Sequence, residues 1–531
     1  MDNRKRTALC ILTAAAFISL TACGGSNTST SYSAQTAPAY QYRSDEVYAN
    51  VEAAYSESDE ITENSEKYAE IRENGFTIAE QQPLSTFSAD VDTASYTNIR
   101  RMINSGHSIP KDAVRIEEII NYFDYDYAAP RGNLPFEVTT ELSSCPWNEQ
   151  SQLLLIGVQA KKDYEQGQHI PKNLVFLIDV SGSMNEADKL PLVQKAFTML
   201  TDELDSSDRI SVVTYAGSDA VLLSGESGEN RKKINKVIGS LSAGGGTAGA
   251  AGIKTAYEIA EENFIEGGNN RIILATDGDL NIGASSPEEL KELVEGERDK
   301  GIYFSVLGVG TGNYNDAALE AIADNGNGNY SYIDCVDEAK KVLVDEMDST
   351  LNTVAKDVKF QVEFDTANVE AYRLIGYENR MLDEKDFEDD KKDAGDVGAG
   401  HTVTVLYEII PAVTPEAPAD NDNNGGQVQL SDNNDAPVPS DGFATINIRC
   451  KEPDADQSKL YTFTVNKSQY TDETPMNLNF AACCAEFGMI LRDSEYKGTA
   501  SYAQLKEMLG RYDYSQDEYK AQFAKLVDKI S

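Results

Sequence analysis

Basic residues are scarce in this chain of 531 residues, which has 46 lysines and arginines against 88 aspartates and glutamates. Its formal net charge of −42 would repel phosphate backbones, so we expect no nucleic-acid partner. Histidine is rarer still, with 3 residues, and none of the 7 cysteines forms a C-x-x-C pair, so the usual zinc signatures are missing. The chain also lacks the G-x-S-x-G and H-E-x-x-H motifs of hydrolases and metalloproteases.

Long apolar runs are also lacking, apart from a short one near the N-terminus. There the basic residues MDNRKR precede the apolar run TALCILTAAAFISL and the residues LTAC, which is the order of a secretion signal. LTAC resembles a bacterial lipobox, and this resemblance implies cleavage before Cys23 and acylation of Cys23. We therefore expect a lipoprotein signal peptide at residues 1–22 and an extracytoplasmic protein held on the cell membrane or envelope by a lipid at Cys23. The alternative is an ordinary secretory signal in which this cysteine is incidental.

The length of the chain and its 40% of hydrophobic residues indicate more than one folded domain. Composition divides the mature chain into five parts. We predict a flexible stalk at 23–82, a flanking region of two helices and then β-strands at 83–170, an α/β domain at 171–352, a β-rich domain at 353–475 with a disordered loop at about 413–441, and C-terminal helices at 476–531.

Apolar strands alternate with helical segments throughout the α/β part, from NLVFLIDV to DEAKKVLVDEMDSTL. This alternation predicts a doubly wound, mainly parallel sheet that is covered on both faces. The segments FEVTTEL and QLLLIGVQAK read as strands, although they precede this domain. We infer that they pair with the later β-strands, so that one β-sandwich carries the α/β domain as an insertion.

Oxygen-bearing side chains follow three strands or loops that should meet at one edge of this sheet. Asp179, Ser181 and Ser183 end the strand NLVFLIDV, Thr247 lies in SAGGGTAGAAG, and Asp277 ends the strand RIILATD. Ligands of open α/β sheets collect beyond the carboxyl ends of the strands. Two carboxylates and three hydroxyls are hard oxygen donors, so we predict a Mg²⁺ site, with Mn²⁺ or Ca²⁺ as alternatives.

The motifs DVSGS, GGGTAG and TDGD, in this order, resemble the metal-ion-dependent adhesion site (MIDAS) of a von Willebrand factor type A (vWA) domain. The resemblance implies that Ser181, Ser183 and Thr247 bind the metal directly, while Asp179 and Asp277 mostly hold it through water. It also implies that an Asp or Glu carboxylate of a partner protein completes the metal's coordination.

The segments FSADVDTASYTNIRRMI, VRIEEIINYFDYDY and GNGNYSYID resemble bacterial vWA-domain lipoproteins that have an N-terminal flanking region and an uncharacterised C-terminal extension. We therefore expect a membrane-anchored protein of the cell envelope that serves adhesion or protein–protein interaction and has no catalysis of its own.

Two alternatives stay open from the residues alone. A metal-dependent hydrolase, such as a phosphoesterase, would need a general base or a basic clamp beside the metal. The loops offer Glu186, Asp188 and Asp279, and Lys189 as the only basic residue. The other alternative is a structural envelope component whose metal only makes the fold rigid.

Three residue types have simpler structural interpretations. Asp92 or Thr93 can cap a helix that runs to Gly106. Trp147 is expected to be a packing residue. The neighbouring cysteines of NFAACCAEFGMIL are expected to be buried, unreactive thiols.

Overall fold

The computed structural model describes residues 66–89, 92–132, 134–162, 170–246, 249–278, 287–312, 314–347, 352–392, 394–412, 441–453, 455 and 457–531. Its strands are β1 (Thr77–Ile78), β2 (Leu84–Ser88), β3 (Phe136–Ser144), β4 (Gln152–Ala160), β5 (Lys172–Asp179), β6 (Arg209–Tyr215), β7 (Asp219–Ser227), β8 (Asn269–Thr276), β9 (Ile302–Val309), β10 (Tyr330–Ile333), β11 (Thr353–Phe364), β12 (Val369–Ile375), β13 (Val397–Gly398), β14 (Thr402–Pro411), β15 (Gly442–Lys451) and β16 (Ser458–Asn466). Its helices are α1 (Ala94–Ser105), α2 (Ile116–Asn121), α3 (Leu190–Asp202), α4 (Arg231–Ile238), α5 (Gly249–Glu262), α6 (Pro287–Arg298), α7 (Asp316–Asn325), α8 (Val336–Lys340), α9 (Met476–Arg492), α10 (Tyr502–Leu509) and α11 (Glu518–Ile530).

The α/β domain is built on a six-stranded sheet in the order β10-β9-β8-β5-β6-β7. Neighbouring strands are parallel except β7, which runs antiparallel to β6. Helices α5, α6 and α7 contribute to the apolar core on one face, and α3, α4 and α8 to the core on the other. Because both faces are covered, all eight residues of the central strand β5 are buried. The predicted doubly wound sheet is confirmed.

Two further sheets form a β-sandwich around a shared apolar core. One has the order β1-β12-β14-β4-β3, and the other has the order β13-β11-β15-β16, with β2 also paired to β11. Strand β4 precedes the α/β domain, yet it pairs antiparallel with β14 over eight positions, from Gln159 opposite Thr402 to Gln152 opposite Ile409. The inferred insertion of the α/β domain into a β-sandwich is therefore confirmed.

The C-terminal helices cover the outer face of the first of these sheets, together with α1 and α2. Helix α9 is the centre of this core, and it approaches α2 so closely that a Cβ on Gly488 would lie 2.9 Å from Cγ1 of Ile116. Trp147 is 1% exposed in the same core, as expected of a packing residue. Cys483 and Cys484 are free and buried there, and burial raises the pKa of both thiols, so the expectation of unreactive thiols is supported.

Residues 66–82 contradict the predicted stalk, because they are ordered against the folded part of the chain. Glu66 pairs with the buried guanidinium of Arg101 at 2.9 Å, and the Asn74 amide donates to a backbone carbonyl 302 residues further along the chain at 2.8 Å. Strand β1 then adds to the edge of the first sandwich sheet. The segment is held by backbone and ionic contacts together with a few apolar ones, those of Phe76 with Tyr496 and of Ala79 with the sandwich core. These contacts follow no regular period, so hydrophobic patterning did not indicate the segment. The remainder of the predicted stalk, 23–65, lies outside the described residues.

The last helix of the α/β domain is shorter than the sequence predicts. Helix α8 ends at Lys340, and the chain then forms a π-helical turn at Lys341–Asp345. The predicted disordered loop at 413–441 lies outside the described residues, apart from its last position. None of the helices in the described part of the chain is both long and apolar enough to cross a bilayer.

Buried ion pairs join the α/β domain to the surrounding elements. Arg115, at the start of α2, donates to Asp316 of α7 at 2.5 Å. Asp92 accepts from the backbone N–H of Tyr330 at 2.9 Å and from Arg380 at 3.0 Å. Helix α1 runs to its C-cap residue Gly106 and has Thr93 as its N-cap residue, as predicted, but Thr93 makes no side-chain capping bond.

Candidate metal site

Asp179 is placed by the end of the central strand, where the chain leaves the sheet. Its side chain is fully buried. One carboxylate oxygen accepts from the backbone N–H of Ser181 at 2.8 Å, and the other accepts from the hydroxyl of Thr276 at 3.1 Å. These two bonds orient the carboxylate between the end of β5 and the end of β8.

The two serines follow in a tight turn. Ser181 is buried and Ser183, inside a single 3-10 turn, is half-buried. Their hydroxyl oxygens lie 3.0 Å apart. The turn therefore presents two neutral oxygen donors side by side, next to the carboxylate of Asp179.

The glycine-rich loop is held beside this turn by backbone hydrogen bonds. The N–H of Gly244 donates to the carbonyl of Val180 at 2.8 Å, and the N–H of Gly182 donates to the carbonyl of Gly245 at 3.2 Å. Gly245 has a φ of 92°, in the left-handed region that favours glycine. Thr247 lies outside the described residues, so its position at the site stays a prediction, but the loop that carries it reaches the serines.

Asp277 follows β8 at the same edge and is also fully buried. Its Oδ2 accepts from the ammonium of Lys189 at 2.9 Å, in a pair whose side chains are 7% and 0% exposed. Its Oδ1 is buried and has no hydrogen-bond partner among the residues that the structure describes. A buried carboxylate oxygen without a donor is costly, so this atom is suited to a water ligand of a metal or to another cationic contact.

The electrostatics of the site favour a cation. Burial raises the pKa of Asp179 to about 6, the hydrogen bonds from Ser181 oppose this rise, and the nearby charge of Asp277 adds to it. Two carboxylates therefore share a small buried volume with one ammonium, that of Lys189. A bound divalent ion would remove the repulsion between them.

The donor set fits a small divalent ion. The two carboxylates and the two serine hydroxyls are hard oxygen donors, which Mg²⁺, Mn²⁺ and Ca²⁺ prefer. The serine hydroxyls form a hydrogen bond of 3.0 Å to each other. Within the described ranges, no cluster of three or more His, Cys, Asp or Glu side chains could hold a metal ion.

Lys189 is the site residue whose role the sequence did not reveal. Its presence near the metal motif is evident from the spacing, but its pairing with an aspartate 88 residues away is not. The side chain also packs against Gly310, where an added Cβ would approach the lysine chain to 2.4 Å. Glu186 and Asp188 of the same loop are exposed.

Comparisons with known proteins show which families this chain resembles. Sequence models of three families match consecutive parts of the chain: von Willebrand factor at 62–155, von Willebrand factor type A domain at 173–344, and uncharacterized protein YfbK, C-terminal, at 349–531. The uncharacterized protein YfbK of Escherichia coli (strain K12) is 41% identical over 478 residues, which cover 87% of this chain and 80% of that protein.

Two solved structures are less similar to this chain than the Escherichia coli protein is. The von Willebrand factor type A protein from Catenulispora acidiphila is 15% identical with a TM-score of 0.41, and the match covers 77% of this chain and 91% of that one. Proximal thread matrix protein 1 of the mussel byssus, solved with a zinc-occupied MIDAS motif, is 24% identical with a TM-score of 0.28, covering 33% of this chain and 44% of that one.

The doubly wound sheet, with its serine turn and aspartates at one edge, is that of a von Willebrand factor type A domain protein. More narrowly, the chain belongs to the YfbK family, because the similarity to the Escherichia coli protein extends through the flanking region, the vWA domain and the C-terminal part.

Proposed function

We propose that this chain is a membrane-anchored protein of the cell envelope that binds partner proteins through a divalent metal ion. Asp179, Ser181, Ser183, Thr247 and Asp277 would hold the metal. An Asp or Glu carboxylate of the partner would complete its coordination. Acylation of Cys23 would keep the protein outside the cytoplasm, on the membrane surface, and no nucleic acid would be involved.

The observation that carries this proposal is the convergence of Asp179, Ser181, Ser183 and Asp277 at one sheet edge, with Oδ1 of Asp277 buried and without a donor among the described residues. Carboxylates and hydroxyls are hard oxygen donors, so we take Mg²⁺ as the resident ion, with Mn²⁺ or Ca²⁺ as alternatives.

The protein's own residues explain why an acidic partner would be preferred. The hydroxyls are neutral, and the ammonium of Lys189 neutralises one of the two carboxylates. A divalent ion bound there would remain underneutralised and would attract one further carboxylate. The strongly acidic surface opposes such a ligand only weakly at contact, since charges are screened over about 8 Å at physiological salt.

The residues favour binding over hydrolysis. Lys189 is engaged with Asp277, so it is not free to clamp a phosphate. Glu186 and Asp188 are exposed to solvent, where neither is held in place as a general base, and Asp279 lies outside the described residues. We therefore propose that the site has no catalytic role.

Metal titration, followed by capture of partner proteins from envelope extracts, tests this function. Calorimetry of the purified full-length chain with Mg²⁺ should detect one site, which Asp179→Ala removes and Asp188→Ala, a matched change in the same loop, preserves. Crosslinked capture from envelope extracts should require Mg²⁺, stop with EDTA or Asp179→Ala, and weaken with acetate at constant ionic strength.

Other outcomes would replace the proposal. Absence of Mg²⁺ and Mn²⁺ binding would end it. Metal-dependent turnover of a generic phosphoester would favour a hydrolase. An unchanged set of captured proteins, combined with a large metal-dependent change in melting temperature, would favour a purely structural metal.

A further inference from the structure

The first described residues of the chain lie beside the loop that supports the candidate metal site. Lys67 forms an isolated parallel bridge with Asn315, in which its N–H donates to the carbonyl of Tyr314 at 3.0 Å. This loop packs against Gly278, the residue after Asp277, so closely that a Cβ on Gly278 would lie 2.7 Å from the nitrogen of Asn315. The segment that precedes β1 is therefore fixed to a loop that touches the site.

Glu66 lies on the side of this bridge that faces the site. Because the bridge is parallel, Glu66 is placed toward Gly310, at the other end of the same loop. Gly310 packs against the side chain of Lys189. Glu66 itself pairs with Arg101 at 2.9 Å, the guanidinium of Arg101 lies over the ring of Tyr332, and the hydroxyl of this tyrosine donates to the carbonyl of Gly310.

Tyr332 also links Glu66 to the loop of the metal motif. Burial raises the pKa of Tyr332, and among the nearby charges those of Glu66 and Asp188 add to the rise. Asp188 is the neighbour of Lys189 in the motif loop. A single buried ring is therefore close to the first described carboxylate of the chain and to a carboxylate of the metal loop.

A stretch rich in carboxylates comes shortly before Glu66. The sequence ESDEITE at 57–63 has no basic residue and four acids, which are Glu57, Asp59, Glu60 and Glu63. These residues lie outside the described part of the chain. Through Asn315 and Gly278, the Cα of Lys67 is within about 15 Å of the Cα of Asp277. The four acids precede Lys67 by four to ten residues, and chains of that length span up to about 13–35 Å, so the stretch is long enough to reach the metal.

We propose that a carboxylate of residues 57–63 binds the metal when no partner is present, so that the chain occupies its own site until a partner displaces it. This inference rests on the proposed metal site. An ion held largely by neutral hydroxyls attracts one further carboxylate, and it does so whichever chain supplies that group. A tethered ligand binds best when the length of its tether matches the distance to the site. A partner protein therefore needs contacts beyond the metal to displace the stretch.

Relaxation of water protons by Mn²⁺ bound to the full-length chain tests this inference, because it reports how many waters the ion holds. The combined variant Glu57→Gln, Asp59→Asn, Glu60→Gln and Glu63→Gln should gain about one water per bound ion, since water replaces the lost carboxylate. Acetate at constant ionic strength should remove this extra water from the variant at lower concentrations than it affects the unaltered chain.

A matched control removes the same charge elsewhere. The changes Glu384→Gln, Glu388→Gln, Asp472→Asn and Glu473→Gln alter four exposed acids of the β-rich part and should leave the water count as it is. A purely electrostatic effect of residues 57–63 would change the affinity for Mn²⁺ but not the number of waters at saturation, and that result would overturn the inference.

Crystals of the unaltered chain grown with Mn²⁺ give a measurement that needs no variant. A carboxylate of residues 57–63 should lie within bonding distance of the ion, and a water in its place would overturn the inference. Equal water counts in chains that all bind Mn²⁺ would also overturn it while leaving the proposed metal site intact. Absence of Mn²⁺ binding to the unaltered chain would instead end the proposed function together with this inference.

Discussion

At the scale of single residues, the ion pair of Lys189 and Asp277 sets the charge of the metal site. The ammonium stabilises the buried carboxylate of Asp277. A divalent ion bound at the proposed site would be repelled by this ammonium, so the lysine would lower the affinity for the metal and strengthen the attraction of a carboxylate ligand to it.

We predict that Lys189→Met raises the affinity for Mg²⁺ or Mn²⁺ about tenfold, because about 1.4 kcal/mol of repulsion is removed. The metal-free variant should lose about 1–3 kcal/mol of stability, since Asp277 is left buried without its cation. Calorimetry and melting with and without EDTA measure both effects. Lys195→Met, an exposed change on α3, is the control. Unchanged metal affinity in folded Lys189→Met would show that the ammonium does not face the metal.

Glu486 on α9 is a second residue with a predictable role. Its side chain is fully buried; one oxygen accepts from the N–H of Ser501 at 3.0 Å, while the other has no partner among the described residues. Burial raises the pKa of this carboxyl from 4.5 to about 7. Between these pH values the folded chain holds a proton that the unfolded chain releases, so stability decreases as pH rises from about 4.5 to 7.

We predict that Glu486→Gln removes this pH dependence and raises the free energy of unfolding at pH 8 by about 1–3 kcal/mol. Urea unfolding at pH 5 and pH 8 measures the difference. Trp147, the only tryptophan, reports on the same core, and the exposed change Glu507→Gln should leave the profile as it is. A parallel loss of stability at both pH values would contradict the prediction.

At the scale of elements, buried ion pairs determine how the vWA domain is held. Arg115 of the flanking region contacts Glu118 on its own helix α2 and two acids of α7, Asp316 and Glu320. All four side chains are nine-tenths or more buried. Helix α7 begins just after a loop whose residues 314 and 315 pack on Gly278, next to the metal site. The flanking helices therefore hold an element that supports the site.

We predict that Arg115→Met lowers the stability of the chain by about 3–5 kcal/mol, because the buried acids Glu118 and Asp316 lose their cation and Glu320 keeps only Arg380. Chemical unfolding measures this loss. Arg72→Met, at an ion pair whose side chains are 76% and 70% exposed, should change stability by less than about 0.5 kcal/mol. If both variants behaved alike, the buried pairs would not fix the domain.

At the scale of the whole molecule, the proposed lipid anchor at Cys23 would decide where the proposed metal site acts. We predict that Cys23→Ala abolishes incorporation of labelled palmitate and releases the protein into the soluble fraction. Cys10→Ala, within the apolar run of the signal, should leave both unchanged. Labelling and fractionation of cells measure these effects. A labelled Cys23→Ala protein would place the lipid elsewhere, and an unlabelled natural chain would remove the anchor.

Much of the architecture was predictable because it follows from local patterns. The α/β alternation indicated the doubly wound sheet, and the strand-like FEVTTEL and QLLLIGVQAK indicated the sandwich that surrounds it. Four of the five predicted metal residues converge, since strand ends of a parallel sheet meet at one edge. The fifth, Thr247, remains a prediction.

The sequence by itself determined the class of fold and the oxygen donors of the proposed metal site. Both follow from local properties, namely the spacing of apolar residues along the chain and the polar residues that follow each strand. Only the tertiary structure decided which charges are paired. The pairing of Lys189 with Asp277 and the ordering of residues 66–82 depend on groups distant in sequence. Such contacts form when the chain closes around its cores, and no local pattern encodes them.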